Sequence, residues 1–251
     1  MEIDHRTMEL ARNYTCRQRE VEKHLDSHGT VKSTDIKTYD ITVLYGEPYS
    51  RLIQKNDKPL SEKEEKKEQE KLDEFVAKRK GESEKDRQKR EAKQKKEREE
   101  GRAFLRDVAN AYDFRIVGEE RVDGRPAWVL EATPRKGFQP TQPHADILPK
   151  LKGKLWIDKK EYNWVKAEAE ATDTISFGWF LARVHKGSHF SFEQVRLNDE
   201  VWLLKRFYLN ASARVMLFKN LGLEQEDTFS NYKKFTAGTK ILPGAREVEP
   251  K

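Results

Sequence analysis

A single cysteine, Cys16, stands in the 251 residues. No intrachain disulfide is therefore possible, and compartment cannot be read from cysteine pairing. Its setting, Asn13-Tyr14-Thr15-Cys16, lacks the small-residue pattern of a lipid-modified cysteine, so a buried, inert thiol is expected. No apolar run approaches the ~20 residues of a membrane-spanning helix. The chain opens Met1-Glu2-Ile3-Asp4, with no export signal visible. That start fits a cytoplasmic protein, or an exported one whose signal has been cut away. Also missing are a phosphate-cradling glycine loop, a nucleophile elbow and a spaced Cys/His zinc set. No two carboxylates are set apart as an acid–base pair. These absences favour binding over catalysis: no enzyme, no cofactor and no metal site is expected.

Charge, by contrast, is abundant. Lys and Arg number 50 and Asp and Glu 44, for a net charge of +6, and mean hydropathy is -0.97. The charge is concentrated in Ser61–Arg102, which leaves the remainder with an ordinary globular composition. We expect one domain over 1–235, a charged helical insertion at about 61–102 and a weakly ordered tail at 236–251. Ser61 with Glu64 is a capping-box signal for a helix start. Gly81 can stop that helix, and Ser83 with Asp86 signals a second start. No large apolar residue appears from Glu84 to Arg102, after which Phe104, Leu105, Val108 and Tyr112 form one stripe. The spacing predicts a helical hairpin or bent helix whose last turns dock on the body, with the charged part in water. Acidic residues nearly balance basic ones and no aromatics interleave, which argues against a specific nucleic-acid site.

The most ordered pattern is Leu151–Ala171. Leu151, Gly153, Leu155 and Ile157 alternate with Lys152, Lys154, Trp156 and Asp158; after a polar corner, Val165, Ala167, Ala169 and Ala171 alternate with Lys166, Glu168 and Glu170. That is a β-hairpin with one buried face. Upstream, the spacing of Leu10, Tyr14, Val21 and Leu25 predicts a helix over about Asp4–Asp26. Strands are expected over Thr30–Tyr45 and Tyr49–Gln54, and Arg115–Arg121 pairs with Ala127–Thr133 through Asp123-Gly124. The proline-rich stretch Pro134–Pro149 reads as a loop. Two long strand segments, Ile175–Leu197 and Val201–Leu221, precede a last strand over Asp227–Phe235. His24 with His28, and His185 with His189, are four residues apart but lack further ligands, and read as structural or solvated.

The residues Lys154-Leu155-Trp156-Ile157-Asp158, the turn, and Trp164-Val165-Lys166-Ala167-Glu168 resemble the bacterial outer-membrane lipoprotein-sorting superfamily, the LolA, LolB and RseB fold. Val129–Pro134 is similar to the strand that precedes this hairpin there. The Ser61–Arg102 insertion is longer than expected for the superfamily. The resemblance implies an α+β, mainly β fold: a curved, incomplete antiparallel β-barrel with helices packed on its concave face. Relatives live outside the inner membrane and hold acyl chains between sheet and helices. It implies a non-catalytic, extracytoplasmic lipid- or acyl-chain-binding protein, in the periplasm or cell envelope if a signal peptide has been removed. Partners would be a lipid or acylated protein, or a cell-envelope protein. The alternative is a scaffold that uses the charged helical arm and has a filled core.

Alternation, with small Ala167 and Ala169 leaving room, predicts a cavity. Its walls would be Leu155, Ile157, Val165, Phe177, Trp179, Leu203, Phe207 and Leu209. Its helical lid would be Phe104, Leu105, Val108 and Tyr112. A dry core filled by the helix stripe is the competing expectation.

Overall fold

The computed structural model describes residues 10–26, 28–177, 182–215 and 219–235. The first difference from expectation lies near the N-terminus. Tyr14–Leu25 is not a helix but a strand, β1; the start of the expected helix, before residue 10, lies outside the described residues. β1 is laddered on both sides, antiparallel to β2 (Val31–Leu44) and to β13 (Lys219–Lys234). Its charged side chains are matched across the strands: Arg17 with Asp40 at 3.2 Å, Lys23 with Glu224 at 2.7 Å and Glu20 with Lys37 at 3.4 Å. Such partly exposed pairs contribute only ~0–1 kcal/mol each. What holds β1 in place is the satisfaction of its backbone groups by two neighbours.

β2 returns into β3 (Glu47–Lys55) through Tyr45-Gly46, both at positive φ (52° and 77°), as a two-residue hairpin turn requires. A two-residue strand, β4 (Lys58–Pro59), forms one edge of the sheet. Helix α1 (Glu62–Lys80) begins at the expected capping box, where Glu64 accepts from both the backbone N–H and the hydroxyl of Ser61. Helix α2 (Glu84–Ala111) follows after Gly81, with Ser83 capping Asp86. β5 (Tyr112–Val122) and β6 (Arg125–Pro134) then pair through Asp123-Gly124. The proline-rich loop contains a 3₁₀ turn, Ala145–Lys150. The hairpin β7 (Leu151–Asp158) and β8 (Trp164–Ala171) forms as read.

The remaining segments divide differently from expectation. Ile175–Leu197 holds three strands, β9 (Ile175–Phe177), β10 (Ala182–Val184) and β11 (His189–Leu197), and β12 is Val201–Val215. The last strand begins eight residues before Asp227, at Lys219.

The main path of the single antiparallel sheet runs β4-β3-β2-β1-β13-β12-β11-β8-β7-β6-β5, with β9 and β10 branching from β12. Its two edges, β4 and β5, do not pair, so the sheet is an unclosed half-barrel. Leu130, Leu155, Ala167, Phe192 and Phe207 are successive cross-strand neighbours and so share a face. Two register shifts matter. One, beside Trp156, takes Val165 away from Ala167's face into a buried cluster with Trp156, Val129, Ala127, Val122 and Trp202. The other, at Glu193–Gln194, leaves Lys205 unpaired in the ladder. The alternation therefore does not run unbroken from Leu203 to Phe207.

Two further cores complete the body. The last turns of α2 place Phe104, Val108 and Ala111 with Tyr112, Ala145 and Leu148; the buried carboxylate of Asp107 accepts from Thr141 Oγ1 at 2.7 Å and from the N–H groups of Thr141 and Gln142. Leu151, Ala171 and Ile175 form the third cluster. Where β7 crosses β8, a Cβ on Gly153 would sit 2.0 Å from the Glu168 carbonyl oxygen, so only glycine fits.

Candidate functional site

The first turns of α2 carry no apolar side chain large enough to fill the space beneath them. They pass over the sheet at a distance and leave a groove of about 1070 Å³, open to solvent. This is just above the ~300–1,000 Å³ range of small-ligand sites. The sheet supplies the floor: Tyr14 and Cys16 from β1, Ile41 and Val43 from β2, Phe229 and Tyr232 from β13. Leu203 and Leu204 of β12 extend it, with Pro48 at the start of β3. α2 supplies the opposite wall through Arg90, Lys93, Gln94, Glu97, Arg98 and Gly101. These positions recur at helical spacing and form one face.

The polar groups of the floor are largely occupied. The Tyr232 hydroxyl donates to the Leu204 carbonyl at 2.5 Å, and burial pushes its pKa up. Tyr14 donates to Glu200 at 2.6 Å and accepts from Asn198 at 2.7 Å. Burial also pushes the Cys16 thiol up to about 11, so it is neutral at physiological pH. The floor therefore presents no charge of its own.

The helix is held over this floor by an ionic tie. Glu47, at the β2–β3 turn, takes Arg79 of α1 at 2.5 Å, Arg90 of α2 at 3.4 Å and Gln94 at 2.5 Å. Glu82, between the two helices, also grips Arg90 at 2.8 Å. All four charged side chains are 10–16% exposed. Phe75 of α1 packs on Tyr49, with ring centroids 5.0 Å apart, and Arg79 stacks over it. The charged insertion is thus not a free protrusion. One face of it meets water, and the other closes the groove.

The sequence-predicted wall is dispersed. Leu203 lines the groove. Leu155 is buried between Leu130 and Ala167, Ile157 pairs with Trp128 and Trp164, and Val165 lies in the Trp156 cluster. Phe207 pairs with Phe192 and Asp227, and Leu209 with Phe190 and Gln225. Trp179 and the side chain of Phe177 lie outside the described residues. Of the lid, Phe104 and Val108 pack on the core beside Ala111, and Leu105 is 38% exposed. Tyr112 begins β5 and donates its buried hydroxyl to the Leu148 carbonyl. The floor residues of β1 were missed because that strand reads as a helix. The alternation Tyr39, Ile41, Val43 was the available signal for the β2 part. His24 lies 3.1 Å from Glu22 and 3.5 Å from Asp35 on the strand surface; no three potential ligands are grouped as a metal site among the described residues.

No protein-family model and no curated protein matches the chain. Solved structures do. A domain from Vibrio parahaemolyticus described as an outer membrane lipoprotein-sorting protein is 13% identical, over 95% of this chain and 93% of that one, with a TM-score of 0.34. A LolA superfamily protein from Nitrosomonas europaea is 11% identical, over 96% and 95%, at 0.31. The MucA/MucB complex of Pseudomonas aeruginosa is matched at 11% identity, over 94% and 99%, at 0.22. The superpositions are loose, and no residue role is transferred from them. Among the described residues no helix is long and apolar enough to cross a membrane.

Proposed function

We propose that this chain is a non-catalytic, extracytoplasmic binding protein that holds a lipid or acyl chain in the groove between α2 and the sheet. The observation that carries this reading is the groove itself: an apolar floor left uncovered because the helix above it is too charged to descend. Burial of each methylene of a guest contributes ~0.8 kcal/mol, so a chain of about a dozen carbons suffices for firm binding. Of the wall and lid named from the sequence, Leu203 would touch the guest. The guest would be a free lipid or an acylated protein, met in the periplasm or envelope.

Native mass spectrometry on protein purified without detergent, with a fluorescent fatty-acid titration, tests the reading. Cys16 provides a site-resolved control, because a guest on the floor covers its thiol. Saturable uptake together with slowed Cys16 alkylation is the expected result. Absence of uptake, with alkylation unaffected by added lipid, rejects it. An interaction role for the helical pair is the second reading, favoured by the solvent-facing Lys and Glu residues of α2.

A further inference from the structure

The two walls of the groove differ in kind, and the difference points to a particular guest. We infer that the groove selects an amphiphile with an anionic head, its tail on the sheet floor and its head against Arg12 and Arg98. This rests on the lipid-binding reading above and adds the chemistry of the head group.

The groove is lined by five cationic side chains and two carboxylates: Arg12, Arg79, Arg90, Lys93 and Arg98 against Glu47 and Glu97. Most of these are spoken for. Arg79 and Arg90 are clamped by Glu47 and Glu82, and Lys93 lies 3.7 Å from Glu97. Arg12 and Arg98 make no hydrogen bond or ion pair with any described residue, although Arg98 is partly buried on the helix wall. One turn further along α2, the Nε of Arg102 is sealed from solvent and has no hydrogen-bond partner among the described residues. Among the described residues, every carboxylate at the groove thus already faces a cation, while guanidinium donors are left over. A carboxylate or phosphate matches a guanidinium's paired donors, and a neutral floor offers it no competitor.

Gly101 marks where a guest has room. It faces the groove from the helix interior, where glycine costs ~1 kcal/mol relative to alanine, and a Cβ there would meet nothing within 4 Å.

The test uses the full chain and a neutral reporter, N-phenyl-1-naphthylamine, displaced by twelve-carbon competitors of one tail and different heads, each below its micellar concentration. These are dodecanoate, dodecyl phosphate, dodecanol and dodecyltrimethylammonium. We expect one or both anions to displace the reporter at a concentration about fivefold or more below dodecanol, with the ammonium weakest. Comparing carboxylate with phosphate tells a free fatty acid from a phospholipid-type source. Arg12→Gln with Arg98→Gln should erase the ranking and leave dodecanol unchanged. Gly101→Trp should exclude all four competitors and the reporter, while far-UV and melting behaviour stay as in the parent chain. Equal displacement by anion and alcohol overturns the head-group inference and leaves the groove reading standing, as does a ranking that survives the double Arg variant. A reporter that never binds overturns both.

Discussion

The two halves of the sheet solve the same problem differently. In the half built from β5 to β8, the buried side chains Val122, Ala127, Val129, Trp156 and Val165 form one cluster, with Trp202 added from β12. In the half built from β1, β2, β12 and β13, comparable apolar residues meet a helix face of Arg, Lys, Gln and Glu, and a groove persists. The two ends of α2 repeat the contrast, one packed against Tyr112, Ala145 and Leu148 and the other over the groove. The last turns of α2 carry Phe104, Val108 and Ala111 and can be desolvated; the earlier turns cannot, because burying their unpaired charges costs far more than the apolar contact returns. Uncovered floor follows from helix composition.

The largest break in this comparison should come on the packed side. Asp158 is 1% exposed and receives Arg125 through two nitrogens at 2.8 and 3.2 Å, with the N–H groups of Lys160 and Glu161 at 3.0 and 2.7 Å. Asp158→Ala strands all of these donors and should destabilise by about 3 kcal/mol in denaturant titration. Gly153→Ala should follow at ~1–3 kcal/mol, since its methyl would be driven into the Glu168 carbonyl. An equally cooperative, unshifted transition in either variant would mean that the packed half is looser than described.

On the groove side the effects should be smaller and should appear in binding. Glu47→Gln removes the charge that ties α1 and α2 to the β2–β3 turn, and should cost about 1 kcal/mol while speeding alkylation of Cys16. Unchanged alkylation would show that the helix keeps its position without the tie. Asp227, 7% exposed, has a buried Oδ1 with no hydrogen-bond partner among the described residues, and burial pushes its pKa up. Asp227→Asn should therefore stabilise the protein slightly at neutral pH, by about 1 kcal/mol, with the gain vanishing in acid.

The pH response follows the same division. Burial alone would raise the Asp158 carboxyl, but the Arg125 pair and the backbone N–H groups outweigh it and hold it below its ordinary value. A depressed folded pKa gives stability that is present above the unfolded value, about 3.9, and is lost as pH falls through the folded one. Asp227 has the opposite sign: its raised pKa favours the folded state in acid, and that advantage fades as pH rises past the unfolded value. Acid titration of Asp158→Asn should flatten the low-pH loss, and Asp227→Asn should steepen it.

The strands of the packed half were legible in the sequence; its packing, where a cavity wall was expected, and the groove were not. Period-2 alternation marks β7 and β8, Asp123-Gly124 marks the β5–β6 turn, and Ser61 with Glu64 marks the start of α1, because each depends on neighbours in the chain. β1 depends on partners far along it: Arg17 waits for Asp40, Lys23 for Glu224. With only four apolar residues as a guide, its spacing imitates a helix. The displacement of Val165 and the break at Lys205 are register shifts, which alternation alone conceals. Arg90 and Arg98 sit in a run whose composition describes a solvated surface, and only the helix's position shows that one side of it encloses space.

An unclosed sheet has two rims, and a rim is where a second chain can be laddered on. Pro59 has no N–H to offer and β4 is two residues long, so little can be added there. β5 is eleven residues long and, its two ends apart, exposed along its length, with Ile116 61% exposed. Its register breaks between Ile116 and Gly118, and that bulge twists the rim away from the flat geometry a joining strand needs. Growth in one direction is stopped by a missing donor and in the other by a bend. A half-barrel can thereby keep both rims open without adding a further strand at either one.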